Sequence, residues 1–166
     1  MSRSETESRN RQSRPVDRVG FSLIELIITM LIVGIMGAIA APKFHDSLSY
    51  HRANSAAMRI VADLKLAREY AKSTSADQTV TFSLGTDSYS ITPGLTDLDR
   101  SSQPYEVTVS DAPFQASLIS ANFGGTATVT FNGFGAPDDG GQVVVQVGSH
   151  QVTVLLNVET GEATIQ

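Results

Sequence analysis

Residues 21–41 read FSLIELIITMLIVGIMGAIAA, and this run decides how the rest of the chain is interpreted. Its only polar residues are Ser22, Glu25 and Thr29. An α-helix rises about 1.5 Å per residue, so the run would extend roughly 31 Å as a helix. That length matches a hydrocarbon core of about 30 Å. Pro42 follows at once and predicts a kink or a boundary. We therefore expect a transmembrane helix over residues 21–42.

The residues before this run are polar and basic. Residues 1–20 contain three acidic residues and five arginines, which are Arg3, Arg9, Arg11, Arg14 and Arg18. This composition cannot form a packed core, so we expect it to be disordered. Only Lys43 follows the run closely. Because positive residues remain in the cytoplasm, the prediction is a single-pass inner-membrane protein with a cytoplasmic N-terminus and a periplasmic C-terminal body.

The composition limits the classes of function. The 166 residues suffice for one modest domain beside the apolar run. There is no cysteine, which excludes disulfides and thiolate metal sites. Residues 21–166 contain seven basic and fourteen acidic side chains, and an acidic body repels phosphate backbones. Nucleic acid is therefore not an expected partner.

Glu25 is the residue that a plain transmembrane anchor leaves unexplained. An ionisable group in an apolar segment costs about 3 kcal/mol on insertion scales, and it normally has a partner. If the chain were cut between Gly20 and Phe21, the new α-amine would be a cation at the head of the helix. That amine is a natural partner for Glu25, especially the Glu25 of a neighbouring chain. An ordinary secretory signal remains an alternative, because residues 38–40 read AIA, a small-x-small cleavage pattern.

The sequence GFSLIEL of residues 20–26, with basic residues before it and a long apolar run after it, closely resembles the prepilin processing motif of type IV pilin-like proteins. The resemblance implies that the prepilin peptidase removes residues 1–20 as a leader and that the Phe21 amine is methylated. It also implies that Glu25 sets the register of each subunit against its neighbour during assembly. Pro42 matches a common kink site of the family.

Beyond Pro42 the helical pattern continues over residues 43–75. Apolar residues recur at spacings of three and four, which predicts an amphipathic helix with one buried face. These residues are Ala53, Ala57, Ile60, Leu64, Ala67 and Ala71. The charged residues that fall between them are Arg59, Asp63, Lys65, Arg68 and Lys72.

From residue 76 to residue 166 the pattern has a period of two, which predicts an antiparallel β-domain. Two hairpins are expected, one from residues 78–84 and 88–92 and one from residues 142–147 and 151–158. Further strands are expected over residues 105–110, 117–123, 126–132 and 162–165. Residues 93–104 are predicted to form a polar loop. The expected fold class is α+β, a pilin-like fold in which a long N-terminal helix packs on an antiparallel sheet.

Residues 131–165 read FNGFGAPDDGGQVVVQVGSHQVTVLLNVETGEATI and are similar to the end of the type II secretion minor pseudopilin H family. In that family a Phe-x-x-x-Gly turn precedes a valine-rich hairpin, and a Thr-Gly turn leads to a last strand. The corresponding segments here are residues 131–135, 143–158 and 160–161. The resemblance implies a minor subunit near the tip of the pseudopilus.

The residues that carry reactive groups have no catalytic context. His45 and His51 are six residues apart, which is wrong for two ligands on one helical face, so no metal site is predicted. Asp138 and Asp139 fit either a calcium ligand pair or a plain Pro-Asp-Asp-Gly turn. No nucleophilic triad or phosphate-binding loop is present. We expect no enzyme activity and no cofactor.

The predicted function is a minor pseudopilin, a structural subunit of the type II secretion pseudopilus. The expected partners are other pseudopilins or pilins, the prepilin peptidase, the inner-membrane assembly platform and the lipid bilayer. Two alternatives stay open. One is a minor type IV pilin in adhesion or DNA uptake, and the other is a secreted binding domain with a conventional signal peptide.

Overall fold

The computed structural model describes residues 20–96 and 103–166. The predicted disorder of residues 1–19 and the part of the predicted loop over residues 97–102 lie outside the described residues. The described residues form one helix, α1 (Leu23–Thr74), and eight strands. The strands are β1 (Gln78–Ser83), β2 (Ser88–Thr96), β3 (Pro104–Thr108), β4 (Ser117–Phe123), β5 (Thr128–Phe131), β6 (Gly141–Val147), β7 (His150–Leu156) and β8 (Ala163–Ile165).

The chain divides into two compact units, Met1–Ala40 and Ala41–Gln166. The bounds of α1 include position 42, so Pro42 does not end the helix, and the predicted kink at Pro42 stays a prediction. Within the described ranges, no helix meets the combined length and hydropathy that a membrane span requires.

The second unit is built on the buried face of α1. All six apolar positions predicted for this face are at most 2% exposed, which confirms the predicted amphipathic helix. Four of the six are alanines, so the helix backbone lies close to the strands that cover it. The helix ends at a Schellman motif. Ser75 adopts a left-handed conformation with φ 52°, and the amide of Ala76 donates to the carbonyl of Ala71 at 3.2 Å.

The strands form two antiparallel sheets, whereas the sequence predicted one. Sheet 1 has the order β3-β2-β1-β5 and sheet 2 has the order β4-β6-β7-β8. Both sheets and α1 contribute to one hydrophobic core. Phe82 of sheet 1 stacks on Phe123 of sheet 2 with ring centroids 5.6 Å apart, and this contact joins the two sheets.

All of the predicted strands are present, and one predicted loop is shorter than expected. β1 and β2 form the first predicted hairpin, and β6 and β7 form the second. β2 continues to Thr96, beyond its predicted end at residue 92. The predicted loop over residues 93–104 is therefore shorter than expected, because its first four residues belong to β2.

Asp63 is the polar exception on the buried face of α1. It is 4% exposed, and its carboxylate accepts three hydrogen bonds. Arg59 Nε donates to Oδ2 at 2.9 Å, Tyr105 Oη donates to Oδ1 at 2.9 Å, and Tyr89 Oη donates to Oδ2. Arg59 also donates to the hydroxyl of Tyr105. Because Tyr89 lies in β2 and Tyr105 in β3, this cluster fixes the position of α1 along sheet 1.

The cluster changes the acid–base properties of its members. Burial and the neighbouring Asp63 carboxylate both raise the pKa of Tyr89. The same two causes raise the pKa of Tyr105. For Arg59, burial lowers the pKa, but the attraction of Asp63 outweighs it and the pKa is raised overall. All three groups therefore hold their protons more tightly here than in the unfolded chain.

Replacing Asp63 by alanine should destabilise the body. The Asp63→Ala substitution leaves the buried Tyr89 hydroxyl without its acceptor and removes the partner of Arg59. We expect the free energy of unfolding to fall by about 2–4 kcal/mol. Urea unfolding of a fragment of residues 49–166, which omits the apolar segment and keeps the buried face of α1 from Ala53 onward, measures this change. The matched control is Glu69→Ala, which breaks an exposed ion pair with Lys72 and should leave the free energy of unfolding nearly unchanged. Equal effects of the two substitutions would contradict a structural role for the cluster.

Alkaline pH should weaken the fold through Tyr89. A tyrosine with a raised pKa in the folded state ionises first in the unfolded chain, so the unfolded chain binds fewer protons above pH 10. The stabilisation is complete below about pH 10 and is lost as the pH rises further, at up to about 1.4 kcal/mol per pH unit for each such group. Urea unfolding of residues 49–166 between pH 8 and pH 11 measures this slope. Tyr89→Phe should have a smaller slope than the unmodified chain, and identical slopes would refute the assignment.

Candidate assembly site

The residues of the predicted processing motif lie at the start of α1. Gly20 and Phe21 precede the helix, and the carbonyl of Ser22 accepts hydrogen bonds from the amides of Glu25 and Leu26, each at 3.1 Å. A Cβ atom built on Gly20 would meet nothing within 4 Å. No packing within the described chain therefore requires glycine at this position. A requirement for it would have to come from another molecule.

Glu25 lies in the first turn of α1. The partial positive charge of a helix N-terminus stabilises a carboxylate there by about 0.3–1 kcal/mol. Two ion pairs occur among residues 20–96 and 103–166, Arg59–Asp63 and Lys72–Glu69, and neither involves Glu25. The helix N-terminus is thus the favourable partner of Glu25 within the described residues, and its carboxylate is available to a cation from outside them.

The segment around Glu25 has no apolar partner within its own unit. Thirteen large apolar side chains from Phe21 to Ile39 are each between 49% and 80% exposed. They occur at nearly every position, so they surround the helix and do not form a stripe. A helix that is apolar on all sides is stable only when other apolar groups cover it. Within its own unit this segment has no such covering.

The three histidines do not form a metal site among the described residues. His51 and His150 contact the ring of Tyr50 edge-on, with ring centroids 5.7 Å and 5.9 Å from its own. His45 is exposed. In the part of the chain that the structure describes, no three His, Asp or Glu side chains lie close enough together to hold a metal ion.

Asp138 stabilises the Pro-Asp-Asp-Gly turn, which is one of the two interpretations of this segment that the sequence allows. Its Oδ1 accepts from the amide of Thr130 at 2.9 Å and from the amide of Asp139 at 2.9 Å. Its own amide donates to the carbonyl of Thr130 at 2.9 Å. The carboxylate is therefore engaged by backbone donors and ties the connection before β6 to strand β5.

The Phe-x-x-x-Gly turn packs on the C-terminal end of α1. Phe131 is fully buried at the end of β5. The side chain of Asn132 accepts from the amides of residues 134 and 136, each at 3.0 Å, and this closes the turn. Gly135 has φ 79°, and a Cβ there would lie 2.4 Å from Cε of Lys72. The backbone conformation of the turn therefore favours glycine at this position, and a larger residue would also displace the side chain of Lys72.

Two charged residues of the helix have roles that the sequence did not reveal. In the sequence Asp63 is one of the charged residues between the apolar positions, yet in the structure it is buried in the core. Arg68 has a buried Nε atom without a hydrogen-bond partner among the described residues. The burial of Asp63 had a signal, since it lies three residues after Ile60 and seven after Ala56, on the same helical face. No local pattern marks Arg68.

Comparison with known proteins identifies relatives of the body. The family model described as Type II transport protein GspH matches residues 56–161. The structure is similar to the type IV minor pilin FimU of Pseudomonas aeruginosa (strain PAO1), with a TM-score of 0.52 and 14% identity over 70% of this chain and 89% of FimU. It is similar to the minor pseudopilin EpsH from the type 2 secretion system of Vibrio cholerae, with a TM-score of 0.52 and 13% identity over 69% of this chain and 96% of EpsH. A comparison with curated protein sequences finds no match.

The similarity to these two structures shows the fold. It confirms the predicted α+β pilin-like fold, in which a long helix packs on antiparallel sheets. The family match covers more than half of the chain, including the last third of α1 and strands β1 to β7. The protein therefore belongs to the GspH family of type II transport proteins.

Proposed function

We propose that this protein is a minor pseudopilin, a structural subunit of the pseudopilus of a type II secretion system. The observation that supports this proposal most strongly is the presence of two features in one chain. A prepilin-like sequence with Glu25 in the first turn of an apolar helix precedes a body of the GspH family. In this proposal the prepilin peptidase cuts after Gly20, and the Phe21 amine is methylated.

Residues 21–42 anchor the subunit in the inner membrane before assembly. Support comes from the exposed apolar side chains between Phe21 and Ile39, which need a covering of lipid or helices. The arginines before this segment keep the N-terminus in the cytoplasm, and the body is then periplasmic. During assembly the inner-membrane platform moves the subunit into the filament, where the helices of other pilin-like subunits replace the lipid.

Glu25 sets the register of each subunit helix against the neighbouring helix during this exchange. The Phe21 amine of the same chain lies one helical turn away and satisfies Glu25 in part. The amine of a neighbouring subunit satisfies it fully, because docking brings both charges out of water together. Burying a pair of charges costs about as much as their attraction returns. The pair therefore contributes the specificity of one register and adds little net affinity.

A minor type IV pilin is the second candidate. The structure matches FimU as well as EpsH, with a TM-score of 0.52 for each, so the fold is common to both kinds of subunit. The description of the matched family favours secretion. Deleting the chain in its host separates the two candidates. Loss of protein export with intact surface pili supports a pseudopilin, and the opposite phenotype supports a pilin.

Replacing Glu25 tests the assembly role. A Glu25→Ala subunit should still be shortened by the peptidase and inserted into the membrane, because the apolar segment is unchanged. It should be absent from filaments, since no carboxylate meets the neighbouring amine. Cross-linking of membranes followed by immunoblotting measures incorporation.

Glu25→Asp and Glu69→Ala provide the controls. Glu25→Asp keeps the charge and should recover part of the incorporation. Glu69→Ala removes an exposed carboxylate from the same helix and should assemble normally. If Glu25→Ala subunits cross-link to their neighbours as efficiently as unmodified subunits, Glu25 has no role in assembly.

A further inference from the structure

The charges of the body are separated between its helix and its strands. Six of the seven lysines and arginines that follow residue 41 lie in α1, and they are Lys43, Arg52, Arg59, Lys65, Arg68 and Lys72. Residues 76–166 contain ten acidic residues and one arginine. The same part of α1 also holds Asp46, Asp63 and Glu69, so its net charge is positive, whereas that of the β-domain is negative. The two are complementary when two such subunits meet.

Two of the basic residues line a groove between α1 and the segment that leads into β8. The groove has a volume of about 260 Å³, and its walls are Val61, Lys65 and Arg68 on one side and residues 161–163 on the other. Gly161 has φ 64°, and a Cβ there would lie 3.2 Å from Arg68 Nε. The backbone therefore packs directly against the guanidinium group.

Arg68 has an unmet hydrogen-bonding requirement in this groove. Its Nε atom is buried and has no hydrogen-bond partner among the described residues. Arg59 and Lys72 are paired with Asp63 and Glu69, but neither Arg68 nor Lys65 forms an ion pair within residues 20–96 and 103–166. Buried polar groups in folded proteins nearly always have a partner. A carboxylate fits, because two parallel donors of a guanidinium match its two oxygens.

The strand beside the groove is an open sheet edge. β8 is the last strand of sheet 2, and among residues 20–96 and 103–166 it pairs with β7 alone. The amide of Gln166 donates to Thr153 at 2.9 Å, and the carbonyl of Glu162 accepts from Asn157 at 3.0 Å. In an antiparallel pair the residues alternate, so the amide and carbonyl groups of Ala163 and Ile165 point away from β7. They are available to a further strand.

We propose that this groove binds an extended acidic segment from the β-domain of a neighbouring pilin-like subunit. The segment pairs with the backbone of Ala163 and Ile165 and places a carboxylate on Arg68 and Lys65. Glu162 lines the same groove, and its negative charge repels other carboxylates. A segment that directs a single carboxylate at the helix therefore fits better than a segment with several consecutive carboxylates. The inference rests on the proposed function, since it requires a neighbouring filament subunit.

A single cysteine tests whether the groove is covered in the filament. The chain contains no cysteine, so Glu162→Cys in the full-length protein introduces a unique thiol at an exposed position of the groove wall and leaves Lys65 and Arg68 in place. A maleimide reagent should label it in membranes that lack the assembly platform, and labelling should be lost in isolated filaments. The control is Gly85→Cys, in an exposed turn where a Cβ meets nothing within 4 Å. Its labelling should be the same in both preparations. Equal labelling of Glu162→Cys in membranes and filaments would overturn the proposal, as would protection of Glu162→Cys without the platform.

Arg68→Met separates a contact from a structural role. Methionine keeps much of the volume and removes the unpaired donor, so the thermal midpoint of the full-length protein in detergent should not fall. Incorporation into filaments should fall at least about tenfold, the loss typical of removing one partner of a buried charge pair. A lower midpoint with normal incorporation would assign Arg68 to the fold and reject the contact.

The result with Glu25 distinguishes failure of this inference from failure of the proposed function. If Glu25→Ala abolishes incorporation while Arg68→Met incorporates normally, the groove contact is wrong and the filament role stands. If the unmodified protein never enters a filament, both are wrong.

Discussion

The close contact between the alanine face of α1 and the two sheets is the constraint on which the body depends. Both sheets contribute their apolar side chains to one core that α1 completes. Small side chains allow the backbone of the helix to approach the strands, but they alone would permit the helix to slide. The cluster of Asp63 with Tyr89 and Tyr105 fixes the position of the helix along sheet 1, because its hydrogen bonds form in one position only.

The same helix links folding to assembly. Its first part presents apolar side chains on all sides, and its second part has one buried face and one basic face. The proposed contacts use these surfaces in turn. The apolar segment with Glu25 meets other helices, and the groove at Lys65 and Arg68 meets an acidic β-domain. Apolar packing contributes most of the affinity in such an assembly, whereas the paired charges restrict the geometry in which it forms.

Most of the architecture could be predicted from the sequence, because periodicity reports which face is buried. The helical spacing identified six core positions of α1, and the period of two identified each strand to within a few residues. The division into two sheets could not be predicted, since strand alternation is the same in one sheet as in two. The burial of Asp63 departs from the usual pattern, because charged side chains on a helix are mostly exposed to solvent. The groove at Arg68 depends on a segment about ninety residues away, which no local pattern brings to the helix.

The candidate site was predictable to a different extent. Gly20, Phe21 and Glu25 were identified by their order at the head of an apolar run, and the structure places them at the start of α1. The chemistry proposed for them involves other molecules: a peptidase for Gly20, a methyl donor for Phe21 and a neighbouring amine for Glu25. The isolated chain shows only that Gly20 has free space around it and that Glu25 has no cationic partner among the described residues.

The N-terminus of the mature protein tests the central claim most directly. Intact mass measurement and N-terminal peptide sequencing of the protein extracted from its host membranes determine where the chain begins. A pilin-like subunit begins at Phe21 and carries a methyl group on that amine. A chain that begins at Ala41 would identify a secreted domain with a conventional signal peptide, and a chain that keeps residues 1–20 would identify a plain membrane anchor. Either of these two results would contradict the account.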